Sequence, residues 1–169
     1  GTFWNQGLYL QDEWRASTRF SLIGGARFDK SNRVDRWITS PRVGVKAGIT
    51  ENLVWRTTLS TGFRAPVVFD EDLHIAQVGG EGFLLQNDPG LEEEKAISFG
   101  SGMQYAGAVR DRRFQIGFNF FHTDLRDAFT LVEEHIPGQD FRRLVRVNGP
   151  GAHVTGVDVD GNMQLTPRF

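Results

Sequence analysis

Apolar and polar residues alternate along most of the chain with a period of two, rather than the period of 3.6 that marks a helix. The clearest case is the segment 114–123, where Phe114, Ile116, Phe118 and Phe120 occupy alternate positions and mostly small or polar residues lie between them. Clusters of Gly, Asp, Asn and Pro separate the alternating segments. This pattern predicts an all-β chain.

Segments with this alternation recur along the whole chain, at 8–14, 20–29, 38–49, 53–63, 97–105, 114–123 and 157–165. Most are near or above the roughly 9 to 11 residues that a tilted strand needs to cross a bilayer. Strands of soluble proteins are shorter, about five or six residues. The lengths therefore predict an antiparallel wall of about seven transmembrane strands.

The connections between these segments differ in length and polarity. Short ones are predicted at 16–19, 50–52 and 106–113, and longer or more polar ones at 31–37, 67–93 and 134–142. Outer-membrane β-barrels show the same alternation, with tight turns on the periplasmic side and long loops outside.

An open wall of seven strands would leave two unpaired edges, which cost several kcal/mol per unsatisfied backbone group in lipid. Single-chain bacterial barrels have an even number of strands, usually eight or more. We therefore expect residues 1–169 to be one part of a larger barrel domain.

Composition narrows the functional classes. The net charge of −2 offers no basic field for nucleic acid, so we expect no nucleic-acid partner. The chain has no Cys, and its four His show no metal-binding spacing, so neither a metal site nor a cofactor is expected. No nucleophile motif or acid pair is present to support catalysis, which predicts that the chain is not an enzyme.

Large aromatic residues lie near the predicted strand ends, at Trp4, Trp14, Trp37, Trp55 and Tyr105. Aromatic girdles at the two membrane interfaces would explain this placement. Core aromatics of a soluble sandwich would explain it as well. The girdle is favoured because it also accounts for the strand lengths.

Two motifs resemble the barrel of TonB-dependent receptors. The first ends a predicted strand and consists of Gly62, Phe63, Arg64, Ala65 and Pro66. The second resembles the family's Asn-Pro-x-Leu-x-Pro-Glu-Lys loop end and contains Asn87, Pro89 and Leu91. Asp88 is inserted before Pro89, and Glu93 replaces the second Pro of the family pattern. We expect these motif residues to have structural roles.

The resemblance implies a transmembrane barrel of about 22 strands that surrounds a plug. It also implies a place in the outer membrane of a Gram-negative bacterium, in contact with lipid, and the uptake of a scarce ligand such as a ferric siderophore or cobalamin. The TonB protein would be a partner of the full-length receptor only. Residues 1–169 would be a partial barrel domain, without plug, TonB box or the remaining strands.

The longest predicted loop contains an acidic cluster with one histidine, Asp70, Glu71, Asp72 and His74. These side chains are candidates to contact a ligand or a cation, although a solvated loop would also carry such residues.

Two other classes stay open at this stage. A soluble β-sandwich binding module would have strands of about five or six residues. An outer-membrane enzyme or adhesin barrel would need a catalytic constellation or a complete, even strand count, and the sequence contains neither.

Overall fold

The computed structural model describes residues 3–66, 83–110, 112–134 and 142–165. These residues form strands β1 (Asn5–Arg15), β2 (Phe20–Ser31), β3 (Val34–Gly48), β4 (Leu53–Arg64), β5 (Phe83–Asn87), β6 (Glu94–Val109), β7 (Arg112–Arg126), β8 (Phe129–Glu134), β9 (Arg142–Asn148) and β10 (Ala152–Met163). Within these ranges, no helix has the length and apolar character needed to cross a membrane.

Seven of the strands form one antiparallel sheet in the order β1-β2-β3-β4-β6-β7-β10. They correspond one by one to the seven predicted segments, so that prediction is confirmed. Each is 11 to 16 residues long, which does not fit a soluble β-sandwich. In the described ranges, β1 and β10 each have one neighbour in this sheet. The sheet is therefore open, consistent with one part of a barrel.

The connection predicted to be long at 31–37 is a tight hairpin instead. Ser31 and Val34 are direct partners, and the two residues between them make the turn. The polar character of this stretch had suggested a loop. It belongs to a strand end whose register is shifted by a β-bulge between Asp29 and Ser31.

Direct partners share a face of a sheet, so the register assigns each residue to one of two faces. One face, called the apolar face below, includes Leu10, Leu22, Val45, Leu59, Phe99, Met103, Ile116, Phe118, Phe120, Val157 and Val159. The other, called the polar face, includes Gly25, Arg27, Arg42, Gly44, Lys46, Arg56, Gly100, Gly102, Asn119, Asp158 and Asp160.

Apolar side chains of the sheet are exposed rather than packed into a core. Leu10 is 72% exposed and Val159 67% exposed. Among the described residues, the buried apolar side chains are Val34, Val145 and Pro66. The described residues therefore do not cover the apolar face.

Direct partners also reveal how far the strands tilt. A row of partners runs through Trp14, Leu22, Val45, Thr57, Ser101, Phe120 and Val157. Trp14 lies one residue from the end of β1, but Val157 lies six residues from the end of β10. At about 3.4 Å per residue and about 4.8 Å per strand, this stagger corresponds to a tilt of about 30°. Barrel strands tilt by a similar amount.

Aromatic side chains mark both ends of the sheet. Short turns join β1 to β2, β3 to β4 and β6 to β7 at one end, called the turn end below; the opposite end is called the rim. On the apolar face, Trp14, Trp55 and Tyr105 lie within four residues of the turn end. Trp4 and Trp37 lie at the rim. Their predicted places near strand ends are confirmed.

A second sheet of three strands, in the order β5-β9-β8, was not predicted. β8 and β9 are antiparallel, like every pair of the large sheet, but β5 and β9 are parallel. Gly149 and Gly151 lie in the connection between β9 and β10. A Cβ at Gly151 would lie 2.5 Å from the Leu125 carbonyl oxygen. The close approach of these two backbone segments therefore requires glycine there.

Candidate functional site: the polar face and the rim

On the polar face, several glycines lie directly opposite long side chains. The opposed pairs are Gly102 with Asn119, Gly117 with Asp160, and Gly156 with Phe121. In each pair, an added Cβ would overlap the facing side chain. The long side chain therefore lies flat across the glycine, and the wall stays smooth.

Uncompensated positive charge lies on strands β3 and β4 of the polar face. Lys46 and Arg56 are direct partners, and like charges placed opposite each other destabilise a strand pair. Arg56 donates to the neutral Gln104 at 3.0 Å, and Arg42 lies on the same face of β3, four residues before Lys46. Among the described residues, no carboxylate forms an ion pair with any of these three cations.

Nearer the rim, in contrast, the cations of the polar face are neutralised. Arg27 Nη2 lies 2.8 Å from Asp29 Oδ1, and Asn5 Nδ2 donates to the same oxygen at 3.3 Å. Asp29 is 1% exposed, and its Oδ2 has no hydrogen-bond partner. A cavity of about 370 Å³ lies beside this pair and reaches Arg64 and Gly62. On β2, positive charge is thus balanced near the rim, whereas Arg42, Lys46 and Arg56 on β3 and β4 have no ion-pair partner among the described residues.

A buried carboxylate joins three strands at the rim. Glu94 is 5% exposed and pairs directly with Arg64, which contacts both carboxylate oxygens, at 2.8 Å and 2.5 Å. Glu94 Oε1 also accepts the backbone N–H of Phe129, the first residue of β8. The Arg64 guanidinium lies 4.9 Å from the centre of the Phe129 ring, and that of Arg146 lies 5.8 Å from it. The cation–π contacts and the bidentate ion pair fix β8 to the end of β4.

Glu93, the residue that replaces the family's second Pro, is also buried at the rim, with 3% exposure. It forms an ion pair with Arg36 of β3 and lies 3.7 Å from Lys95 Nζ. Lys95 also lies 3.6 Å from Glu92 and 3.5 Å from Asp127. The departure from the family pattern therefore adds a charged contact between β3 and the start of β6.

The side chain of Asn148 joins two connections of the rim. Its Oδ1 accepts the Glu92 N–H at 2.8 Å, and its Nδ2 donates to the Glu92 carbonyl at 3.0 Å. Nδ2 also donates to the Asp127 carbonyl at 2.8 Å. One amide side chain thus binds the backbone of Glu92 at two points, as a neighbouring strand would.

The motif residues predicted from the sequence lie at or beside the rim. Gly62, Phe63 and Arg64 are the last three residues of β4, and Ala65 and Pro66 follow directly. Pro66 was expected where a strand leaves the sheet, and β4 does end two residues before it.

The second motif makes a turn after β5. Asn87 is the last residue of β5, and its Oδ1 is buried without a partner. The inserted Asp88 accepts the Gly90 N–H with its side chain at 2.7 Å and the Leu91 N–H with its backbone at 3.1 Å. Pro89 lies within this turn. The roles of the motif residues in function stay predictions.

The ligand-contact candidates Asp70, Glu71, Asp72 and His74 lie outside the described residues. Within the described part of the chain, no three His, Asp or Glu side chains are grouped to hold a metal ion. Sequence reasoning missed the roles of Glu94, Arg36 and Asn148. The run of Glu92, Glu93 and Glu94 was a signal of charge at the strand start, but its partners lie far away in the sequence.

Comparison with known proteins identifies the family. A family model described as "TonB dependent receptor-like, beta-barrel" matches residues 1–169. The chain belongs to the TonB-dependent receptor family. Receptors of this family are transporters and not enzymes, and they are known as outer-membrane proteins of Gram-negative bacteria. No curated protein matches the sequence.

Solved structures of two receptors and an iron transporter share the fold. The siderophore receptor PirA from Pseudomonas aeruginosa is 16% identical, with a TM-score of 0.76 over 92% of this chain and 30% of that one. The Serratia marcescens hemophore receptor HasR, in complex with its hemophore HasA and heme, is 15% identical, with a TM-score of 0.74 over 95% and 32%. The iron transporter FrpB from Neisseria meningitidis is 18% identical, with a TM-score of 0.71 over 96% and 24%. The chain spans a third or less of the length of these structures.

Proposed function

We propose that the protein containing this chain takes up a scarce ligand, such as a ferric siderophore or cobalamin, across the outer membrane in a TonB-dependent manner. The chain supplies barrel wall and outer connections. The observation that carries this proposal is the two-faced sheet, whose exposed apolar face is bordered by aromatic residues and whose opposite face is polar and rich in glycine. Such a wall suits lipid on one side and an aqueous or protein-filled interior on the other.

The apolar face would contact outer-membrane lipid, and the polar face would line the barrel interior. The turn end would face the periplasm and the rim the outside, because outer-membrane barrels place their long loops outside and both long connections leave the rim. TonB would act on parts of the receptor other than these strands.

The charge distribution of the polar face favours an anionic ligand. Arg42, Lys46 and Arg56 have no ion-pair partner within the described residues, so β3 and β4 carry local positive charge that would attract an anion entering from the rim. A ferric siderophore with carboxylate or catecholate groups fits this local charge better than a neutral cobalamin. Asp70, Glu71, Asp72 and His74 of the β4–β5 connection are proposed as separate contacts, to other groups of the ligand or to a cation.

The experiment is a growth test of the full-length receptor. The receptor is expressed in a Gram-negative strain that lacks its own siderophore receptors, and growth under iron limitation is measured with a panel of ferric siderophores. Cobalamin-dependent growth is measured in parallel. We expect growth with at least one ferric siderophore, and loss of that growth when TonB is deleted. Growth that does not depend on TonB, or no growth with any ligand by a receptor that reaches the membrane, contradicts the proposal.

The charge argument is tested with the double variant Arg42→Gln and Lys46→Gln. Uptake of the anionic ligand should fall several-fold, because two of the three unpaired cations are removed. The matched control is Arg19→Gln, an exposed cation at the turn end. Equal uptake by the double variant and the control would contradict a role for Arg42 and Lys46 in binding the ligand.

A further inference from the structure

Two long connections leave the rim, and they are paired with each other. The first runs from β4 to β6 and contains β5; the second runs from β7 to β10 and contains β8 and β9. β5 pairs with β9 in parallel, from Phe83 with Arg142 to Asn87 with Arg146. A parallel pair of five residues is marginal in stability on its own. Further contacts are needed to hold the two connections together.

Asn148 provides one such contact. Three hydrogen bonds from a single amide fix the backbone of Glu92, in the first connection, to Asp127 and β9 in the second. The Asp88 N–H also donates to the Arg146 carbonyl at 3.0 Å, which continues the β5–β9 pairing towards Asn148. Removal of Asn148 would leave polar backbone groups of both connections without partners.

Glu94 provides the second contact, next to the first. Phe129 is the direct partner of Asn148 in the β8–β9 pair, and its N–H is bound by Glu94. Glu94 is in turn held by Arg64 at the end of β4. Asn148 and Glu94 therefore lie side by side and join both connections to the strands of the large sheet.

We propose that β5, β8 and β9, the strands of the two connections, form one cooperative unit that is clasped by Asn148 and Glu94 and opens as a whole rather than one strand at a time. Local openings in proteins occur in contiguous cooperative units, and the shared hydrogen bonds place β5 and β8 in the same one. A molecule that contacts one connection then alters the stability of the other without touching it. This inference does not depend on the identity of the ligand.

The test is amide hydrogen exchange on the full-length receptor in lipid, without ligand, with wild type and Asn148→Ala compared. Exchange is followed in peptides covering β5 and in peptides covering β8. We expect the variant to accelerate exchange in both by the same factor, roughly tenfold, because both depend on one opening event. Peptides of β6 and β7 should be unchanged, which shows that the barrel wall has folded.

The control is Val132→Ala, a truncation in β8 of a side chain that is 46% exposed. Because Val132 is partly exposed and is not part of the clasp, any change should be small, and it should be equal in β8 and β5. A second variant, Glu94→Gln, should accelerate exchange in β8 and β5 together. If Asn148→Ala or Glu94→Gln accelerates β8 and leaves β5 at the wild-type rate, the two connections open independently and the proposal is wrong.

Discussion

The large sheet and the three-stranded rim sheet are stabilised in opposite ways. In the large sheet, apolar side chains such as Leu10 and Val159 are exposed, and long antiparallel ladders supply the order. At the rim, the buried side chains are mainly charged or polar, including Glu93, Glu94 and Arg146. The wall therefore depends on an apolar surrounding, whereas the rim is held by specific polar contacts. The two regions should therefore be sensitive to different types of substitution, and the loss of stability should also differ in size.

The largest expected effect is a charge on the apolar face. Phe118 lies near the middle of β7, and Phe118→Arg should lower the free energy of unfolding in lipid by about 2–4 kcal/mol. The measurement is denaturant unfolding of the full-length receptor in lipid vesicles. The matched control is Gln115→Arg on the polar face of the same strand, which should change stability little. Equal destabilisation by both variants would show that the apolar face does not contact lipid.

The next effect concerns the rim. Glu94→Ala removes the partner of Arg64 and of the Phe129 N–H, and should destabilise the rim by about 1–3 kcal/mol. The guanidinium of Arg64 is half exposed, so water compensates part of the loss. Limited proteolysis should show faster cleavage in the outer connections while the wall stays intact. Loss of the whole barrel instead would mean that rim and wall are not separable.

A smaller effect is expected from filling the space over a glycine of the wall. Gly156→Ala forces the Phe121 ring away from its position and should cost about 1–2 kcal/mol. Gly62→Ala is the control on the same face, since a Cβ there meets nothing within 4 Å. Unfolding in lipid vesicles measures both. A smaller loss for Gly156→Ala than for Gly62→Ala would contradict the flat packing.

The smallest effect should come from the ion pairs of Lys95, whose own side chain is partly exposed. Lys95→Met removes three contacts of about 3.5 Å or longer, and should cost less than about 1 kcal/mol. Added salt should reduce the difference between variant and wild type further, because exposed pairs are screened. A loss as large as that of Glu94→Ala would mean that Lys95 is part of the clasp.

The sequence predicted the wall well because the pleat itself produces the alternation. Each of the seven segments corresponds to one strand of the large sheet, although 38–49 and 157–165 run one and two residues past their strands, and the motif from Gly62 to Pro66 does end a strand. The predicted faces were also right, as for Phe118 and Gly117. A period of two needs no knowledge of the strand's partners.

The rim could not be predicted in the same way. β5 is five residues long and pairs with a strand that lies far away in the sequence, so no local sequence pattern predicts it. The amide of Asn148 acts on the backbone of Glu92, and a backbone contact leaves no mark on the sequence of its partner. The tight β2–β3 hairpin was missed because the ends of β2 and β3 at the rim carry polar residues. The alternation of apolar residues that marks a strand is therefore absent there.

The stagger of the large sheet gives each row of direct partners a slope. The row that starts at Trp14, beside the turn end, has climbed five residues by the time it reaches Val157. Continued around a closed barrel of about 22 strands, the same slope amounts to nearly 20 residues, which exceeds the length of any strand here. A row of direct partners would thus follow a helical path around the barrel and would run from one membrane surface to the other within a single circuit.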